Sequence, residues 1–84
     1  MPNTYFDENI DVFIVGCIKN GINTCPDIAV NWMSWHKIQY TDAKYQHFKQ
    51  LVNRHVKTME KYGLVRYTGR TKSANDKSKI WELV

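Results

Sequence analysis

The sequence predicts an α+β fold in which three helices precede a small antiparallel β-hairpin. Two patterns favour this class: apolar residues recur at helical spacing over most of the chain, and apolar and polar residues alternate near its C-terminus. With 84 residues, 43% of them hydrophobic, the chain can bury one modest core and is too short for two. We therefore expect one domain over residues 7–84, preceded by an N-terminal arm of residues 1–6.

The first helix is expected between Asp7 and Asn20. Its candidate buried face consists of apolar residues at helical spacing, which are Ile10, Phe13, Ile14, Cys17 and Ile18. Lys19 lies near the expected C-terminus, where the helix dipole favours a cation. Gly21 can then adopt the left-handed conformation that commonly ends a helix.

A second helix is expected after residues 22–24, which are long enough for one strand-like pairing only. Thr24, Pro26 and Asp27 follow in the order of cap, early proline and first-turn acid that is typical of a helix start. The helix is expected to end at Trp35 or His36. Its expected inner face is Ile28, Trp32 and Trp35, whereas Val30 and Met33 are expected to point elsewhere.

A third, longer helix is expected to begin at a Thr41–Asp42 cap and to run to about Tyr62, before Gly63. Its buried face is expected to contain Tyr45, Phe48, Leu51, Val52, Val56 and Met59. Alternation around Arg66 and Glu82 predicts two short strands. The polar residues 68–78 between them suit a hairpin loop.

Charge is distributed unevenly along the chain. Residues 1–43 have two lysines against five acidic residues, a formal charge of −3, whereas residues 44–84 have ten lysines and arginines against three acidic residues, a formal charge of +7. A basic surface attracts phosphate backbones because counterions are released on binding. The C-terminal half is therefore expected to face a polyanion, unless its charge serves only to keep the surface solvated.

The face of the third helix opposite its apolar residues is rich in amides. Helical geometry places Gln46, Gln50, Asn53 and Lys57 on this face, with Lys49 and Arg54 beside them. A Gln or Asn side chain can match the donor and acceptor of adenine in the major groove, and Lys or Arg can match guanine. This stripe is a candidate reading surface, and the alternative is the solvated back of an amphipathic helix.

The segment VNRHVKTMEKYGLVRY, residues 52–67, joins the third helix to the hairpin. It resembles the end of the recognition helix and the start of the wing in winged helix-turn-helix regulators related to the arsenic-type and multiple-antibiotic-resistance-type repressors. The resemblance implies a small transcriptional regulator, microbial or viral, with its third helix in the major groove of double-stranded DNA. One departure is that Ala29 and Val52 are separated by about a dozen more residues than in a compact helix-turn-helix. Either the second helix and the turn are longer, or the third helix extends towards its N-terminus.

The resemblance also implies that the hairpin is a wing, which lies along the backbone or in the minor groove. Its expected DNA contacts are Arg66, Arg70, Lys72 and Lys77. Such contacts position a protein on DNA without choosing the sequence. Arg70 follows Gly69 near the expected tip and is the preferred minor-groove candidate. The alternative is a solvated basic loop.

The chain contains no phosphate-binding glycine loop, nucleophile elbow or paired-carboxylate motif, so we expect no enzymatic activity and no small-molecule substrate. Cys17 and Cys25 lack the spacing of a zinc site or a disulfide framework, and no metal or other cofactor is expected. His55 is expected to be partly buried and hydrogen-bonded. We expect a cytoplasmic protein without membrane association, as a monomer or weak homodimer.

A different class of function remains open at this point, namely a winged-helix adaptor or replication accessory factor that binds a protein partner. The second helix offers apolar and aromatic side chains for such an interface if the rest of the fold leaves them uncovered. These side chains are Val30, Trp32, Met33 and Trp35.

Overall fold

A computed structural model describes the backbone of residues 2–84 and the side chains of residues 10–84. Within this part of the chain, helices α1 (Pro2–Lys19), α2 (Cys25–Trp35) and α3 (Asp42–Lys61) precede strands β1 (Val65–Thr71) and β2 (Lys79–Leu83). The strands form an antiparallel pair. The predicted α+β class and element order are confirmed, and the layout is compatible with a winged helix-turn-helix arrangement.

Helix α1 begins five residues earlier than the sequence predicts, at Pro2 and not at Asp7. Positions 2–6, assigned to an arm, are therefore helical in their backbone, and position 1 lies outside the described residues. A proline is well tolerated in the first turn of a helix because the amide hydrogen that it lacks would have no helical partner there. The division of the chain into an arm and a domain stays a prediction.

Three turns end the helices in the same way. At Gly21 and Gly63 the chain enters the left-handed region, with φ of 85° and 76°, as predicted. In each turn the residue after the glycine donates its backbone amide hydrogen to a carbonyl five residues earlier, which is the Schellman arrangement. Lys37 fills the same position after α2 with φ of 55°, although a side chain disfavours this conformation. A six-residue connection, residues 36–41, therefore leads to α3.

The extra residues between Ala29 and Val52 are accommodated by this connection and by an N-terminal extension of α3, which begins ten residues before Val52. Thr41 caps α3, and its side-chain oxygen accepts a hydrogen bond of 3.1 Å from the backbone nitrogen of Lys44. Thr24 occupies the cap position of α2, as predicted, but its hydroxyl donates to Asp27 and accepts no capping hydrogen bond from a backbone amide of the helix. A longer turn after α2 and an N-terminal extension of α3 thus both contribute to the extra residues between Ala29 and Val52.

The core lies where α1, α2 and α3 meet the inner face of the hairpin. Its members are Ile10, Ile14, Cys17, Ile18, Cys25, Ile28, Ala29, Trp32, Val52, Val56, Met59, Val65 and Trp81. Phe48 and Leu51 of the predicted α3 face pack against this core and are only partly buried, and Tyr45 is half-buried at its edge. Trp81 also ties β2 to residues 22–24, because its backbone nitrogen donates to the carbonyl oxygen of Asn23 at 2.9 Å. This is the single strand-like pairing that the sequence predicts.

The predicted inner face of α2 is wrong in two positions. Trp35 is 74% exposed, whereas Met33, expected to point away from the core, is 2% exposed. The buried residues of α2 are Cys25, Ile28, Ala29, Trp32 and Met33, so its covered face includes Met33 and excludes Trp35. Trp35 instead borders an open groove between α1 and α2.

The strands are longer and less regular than predicted. Val65, Arg66 and Tyr67 of β1 pair with Leu83, Glu82 and Trp81 of β2, and after a register shift Thr71 pairs with Lys79. Gly69, with φ of 86°, lies within this shift. The loop is therefore confined to residues 72–78. We refer to β1, β2 and this loop together as the hairpin.

None of the helices within the described residues is long and apolar enough to cross a membrane.

Candidate nucleic-acid interface

A cleft of about 370 Å³ separates the outer face of α3 from the hairpin, and we refer to it as the cleft. The start of α2 forms its third side. Its lining residues are Cys25 and Pro26 from α2, Lys49, Gln50, Asn53 and Lys57 from α3, and Ser78, Lys79 and Trp81 from the hairpin. Four residues of the predicted reading surface are thus brought together with the hairpin in one concave site.

Three lysines around the cleft lie over aromatic rings. The Nζ atom of Lys49 is 5.5 Å from the ring centre of Tyr45, and that of Lys57 is 5.9 Å from Trp81. On the hairpin, Lys79 Nζ lies 5.1 Å from the ring centre of Tyr67. Such contacts restrict a flexible lysine while leaving its ammonium group able to donate hydrogen bonds. The cleft therefore presents three positioned positive charges.

The amide side chains on the outer face of α3 have different surroundings. Asn53 faces Cys25, whose Sγ atom lies 3.8 Å from Asn53 Oδ1. Burial raises the pKa of the Cys25 thiol, and this effect outweighs the opposing influences of Trp81, Lys57 and Lys79. The sulfur therefore keeps its proton and acts as the donor to Asn53 Oδ1. Gln50 is exposed at the cleft, and Gln46 is exposed one helical turn closer to the N-terminus of α3.

Arg54, predicted beside the reading surface, lies elsewhere on α3. It borders a separate depression together with Asp11, Leu51, His55 and Thr58. His55 Nδ1 is 2.8 Å from Asp11 Oδ1, so His55 is partly buried and hydrogen-bonded as predicted. The structure therefore places Arg54 near the contact between α1 and α3 and not with the other predicted reading residues.

The cations predicted on the hairpin differ in their surroundings. Arg66 is paired with Glu82 across the strands. Lys72 is paired with Asp27 of α2, at 2.8 Å from Oδ2 and 3.1 Å from Oδ1, and the hydrogen bond to this carboxylate raises the pKa of Lys72. Arg70 borders a shallow depression on the other face of the hairpin, and Lys77 is exposed in the loop. Arg66 and Lys72 thus have acidic partners within the protein.

The loop is ordered by its own hydrogen bonds. Asp76 Oδ1 accepts from the backbone nitrogen of Ser78 at 2.9 Å, and the backbone nitrogen of Asp76 donates to Ser73 Oγ at 2.9 Å. The bonds from Ser78 lower the pKa of the Asp76 carboxyl group. Asp76, the acidic residue of this basic loop, therefore helps to fix the conformation of the loop.

Comparison with protein-family models, with curated proteins and with solved structures finds no match. The arrangement of the cleft therefore carries the functional argument on its own.

Sequence reasoning missed Trp81 and Cys25 as residues of this site. Trp81 is two residues from Lys79 on β2, so the alternation of side chains along a strand places both on the face that lines the cleft. Cys25 offered no comparable signal, because 28 residues separate it from Asn53 in the sequence.

Proposed function

We propose that this chain is a sequence-specific double-stranded DNA-binding protein of the winged helix-turn-helix class, with α3 in the major groove and the hairpin as its wing. The observation that carries the proposal is the cleft, where three positioned lysines connect the amide face of α3 to the hairpin. Positive charge next to exposed amides suits a ligand that combines phosphates with base edges. A small microbial or viral transcriptional regulator in the cytoplasm is the role we assign to it.

The exposed N-terminal part of α3 is the part that we assign to base reading. Gln46 and Gln50 are exposed on successive turns in the first half of α3. A fully exposed amide can offer both its donor and its acceptor to adenine. Arg70 and Lys77 would contact the backbone or the minor groove, together with the ion-paired Arg66 and Lys72.

Selection of bound duplexes from a random pool, followed by titration of salt, tests this proposal. We expect a preferred sequence, and we expect affinity to fall steeply as salt rises. Replacing Gln46 and Gln50 by Ala should reduce discrimination by about 1–3 kcal/mol for each lost bidentate contact. Arg70→Ala is the matched variant that should weaken all duplexes alike. Full discrimination in the Gln46/Gln50 double variant would contradict the assignment of the reading face.

A protein-binding adaptor is the second candidate, and the exposed side of α2 favours it. Val30 and Trp35 are 44% and 74% exposed, and Trp35 borders a groove of about 390 Å³ that also contains Val12 and Phe13. Trp32 and Met33, which the sequence offered for the same interface, are buried and leave a smaller apolar surface. The absence of measurable duplex affinity at low salt would favour the adaptor.

A further inference from the structure

Cys25 and Asn53 meet at the wall of the cleft and determine what this wall can offer to a ligand. Cys25 is 8% exposed, and its buried thiol retains its proton because burial raises the pKa of the group. With Sγ 3.8 Å from Asn53 Oδ1, the thiol donates and the amide oxygen accepts. The oxygen end of the Asn53 side chain is therefore directed towards the start of α2.

Asn53 lines the cleft, and among the described residues no hydrogen bond engages its nitrogen end, which leaves those N–H groups available to a ligand. An Asn side chain recognises adenine by offering its oxygen and its nitrogen together, to N6 and N7 of the base. The oxygen of Asn53 keeps a second lone pair, but its contact with Cys25 fixes the orientation of the amide and favours the two N–H donors of the nitrogen end as the groups offered to a ligand. Asn53 is therefore poorly suited to read adenine, despite its place on the outer face of α3.

The charged side chains around Asn53 also offer only donors. Lys49, Lys57 and Lys79 line the same cleft, and an ammonium group has three donors and no acceptor. Each ammonium group lies over an aromatic ring, and all three lysines line this one cleft. A phosphate diester carries a negative charge and oxygens that only accept, which makes it the part of a duplex that matches this lining.

We infer that the cleft binds a backbone phosphate of the duplex and that Cys25 is a positioning residue, which turns the amide hydrogens of Asn53 towards that phosphate. This inference rests on the proposed binding of DNA. It moves Asn53 from the base-reading set to the backbone contacts, and it leaves base reading to the exposed turns of α3 that contain Gln46 and Gln50.

Methylphosphonate scanning of the preferred duplex tests the phosphate contact. Each probe replaces one charged phosphate by a neutral methylphosphonate, and binding is followed by fluorescence anisotropy of the full chain. We expect one position at which the neutral linkage weakens the unmodified protein about tenfold, as for loss of a hydrogen bond to a charged group. Asn53→Ala should be less sensitive than the unmodified protein at that position, while the three lysines retain part of the effect, and it should weaken all natural duplexes by a similar factor. A change of base preference in Asn53→Ala would overturn the phosphate assignment while leaving DNA binding intact.

A double-mutant cycle tests the role of Cys25. Cys25→Ala should weaken binding in the unmodified chain and should have no further effect when Asn53 is already Ala, because a positioning residue acts only through its partner. Cys25→Ser keeps a hydrogen-bond donor and a similar size, so it should retain the coupling. Equal effects of Cys25→Ala in both backgrounds, with an unchanged near-ultraviolet circular dichroism spectrum, would overturn this role.

Two further results separate this inference from the proposed function. If the unmodified chain binds polyglutamate and no duplex, the cleft takes an acidic protein segment, and both proposals fail. If the chain binds duplexes with a sequence preference but shows no sensitive methylphosphonate position, the proposed function stands and the inference fails.

Discussion

At the scale of single residues, burial determines the reactivity of the two cysteines. Cys17 and Cys25 are both buried, and burial raises the pKa of both thiols. Neither of these thiols is well placed for nucleophilic chemistry, since the thiolate is the reactive form and burial disfavours it. Each side chain acts as a small apolar group in the core, and Cys25 in addition donates a hydrogen bond to Asn53.

The reactivity of the thiols provides a direct check. Because the pKa of each thiol is raised, the thiolate fraction at pH 8 is smaller than for a free cysteine, and we expect both to react slowly with iodoacetamide in the folded protein. Raising the pH should accelerate alkylation only above the ordinary cysteine range, and denaturation in urea should restore rapid reaction. Mass spectrometry of timed samples would report both sites. Alkylation of Cys25 in the folded protein at the rate of a free thiol would contradict its buried, protonated state.

Two predictions about single residues of α2 are wrong, and both concern which side chains are buried. The helical period correctly places Ile28 and Trp32 inside, but it cannot tell which neighbour covers each flank of α2, so Trp35 and Met33 were exchanged. The contact between Cys25 and Asn53 joins residues from separate elements, and no local pattern encodes it. Local rules describe a helix face, whereas burial depends on the elements packed against that face.

At the scale of elements, the helix ends follow rules that are readable in the sequence. Helices α2 and α3 have the predicted starts after Thr24 and Thr41, and the predicted glycine turn follows α3. The exception is Lys37, a lysine in a left-handed turn that glycine would adopt with less strain. The connection between α2 and α3 therefore carries a local cost.

Two substitutions with opposite expected effects on stability test this strain. Lys37→Gly should increase the free energy of unfolding by about 0.5–1 kcal/mol, because removing the side chain relieves the left-handed strain by more than the added flexibility of the unfolded chain costs. Gly63→Ala, in the equivalent turn after α3, should lower it by about 1 kcal/mol. Urea titration monitored by circular dichroism measures both. A destabilised Lys37→Gly variant would show that the Lys37 side chain contributes a contact that outweighs the strain.

At the scale of the whole molecule, the fold brings an acidic residue of the N-terminal half next to a basic residue of the C-terminal half. The acidic N-terminal half contributes Asp27 as the partner of Lys72, so part of the +7 charge of residues 44–84 is compensated within the protein. The charges of the cleft come from α3 and from β2, two elements that only the tertiary structure makes adjacent. Sequence alone therefore predicts that the C-terminal half is basic, and the fold determines which cations share a surface.

The lysines of the cleft should contribute to the salt dependence of binding. If the cleft binds one backbone phosphate, replacing Lys49, Lys57 and Lys79 together by Gln should reduce the slope of log affinity against log salt by about 0.9. Lys19→Gln, at the end of α1, is the matched control and should leave the slope unchanged. An equal reduction for Lys19→Gln would mean that overall charge, and not the cleft, attracts the duplex.

The hairpin is held to the helices from several sides. Lys72 joins its loop to Asp27 of α2, Lys57 lies over Trp81, and the backbone of Trp81 is bonded to Asn23. With these attachments in place before any ligand arrives, little flexibility is left to lose on binding, and the spacing between α3 and the hairpin is set in advance. If a duplex occupies this space, the DNA must adapt to the protein. Sequences whose grooves widen or narrow easily would then bind better. The fixed spacing between α3 and the hairpin would thus select DNA by its deformability, at base pairs that no side chain contacts.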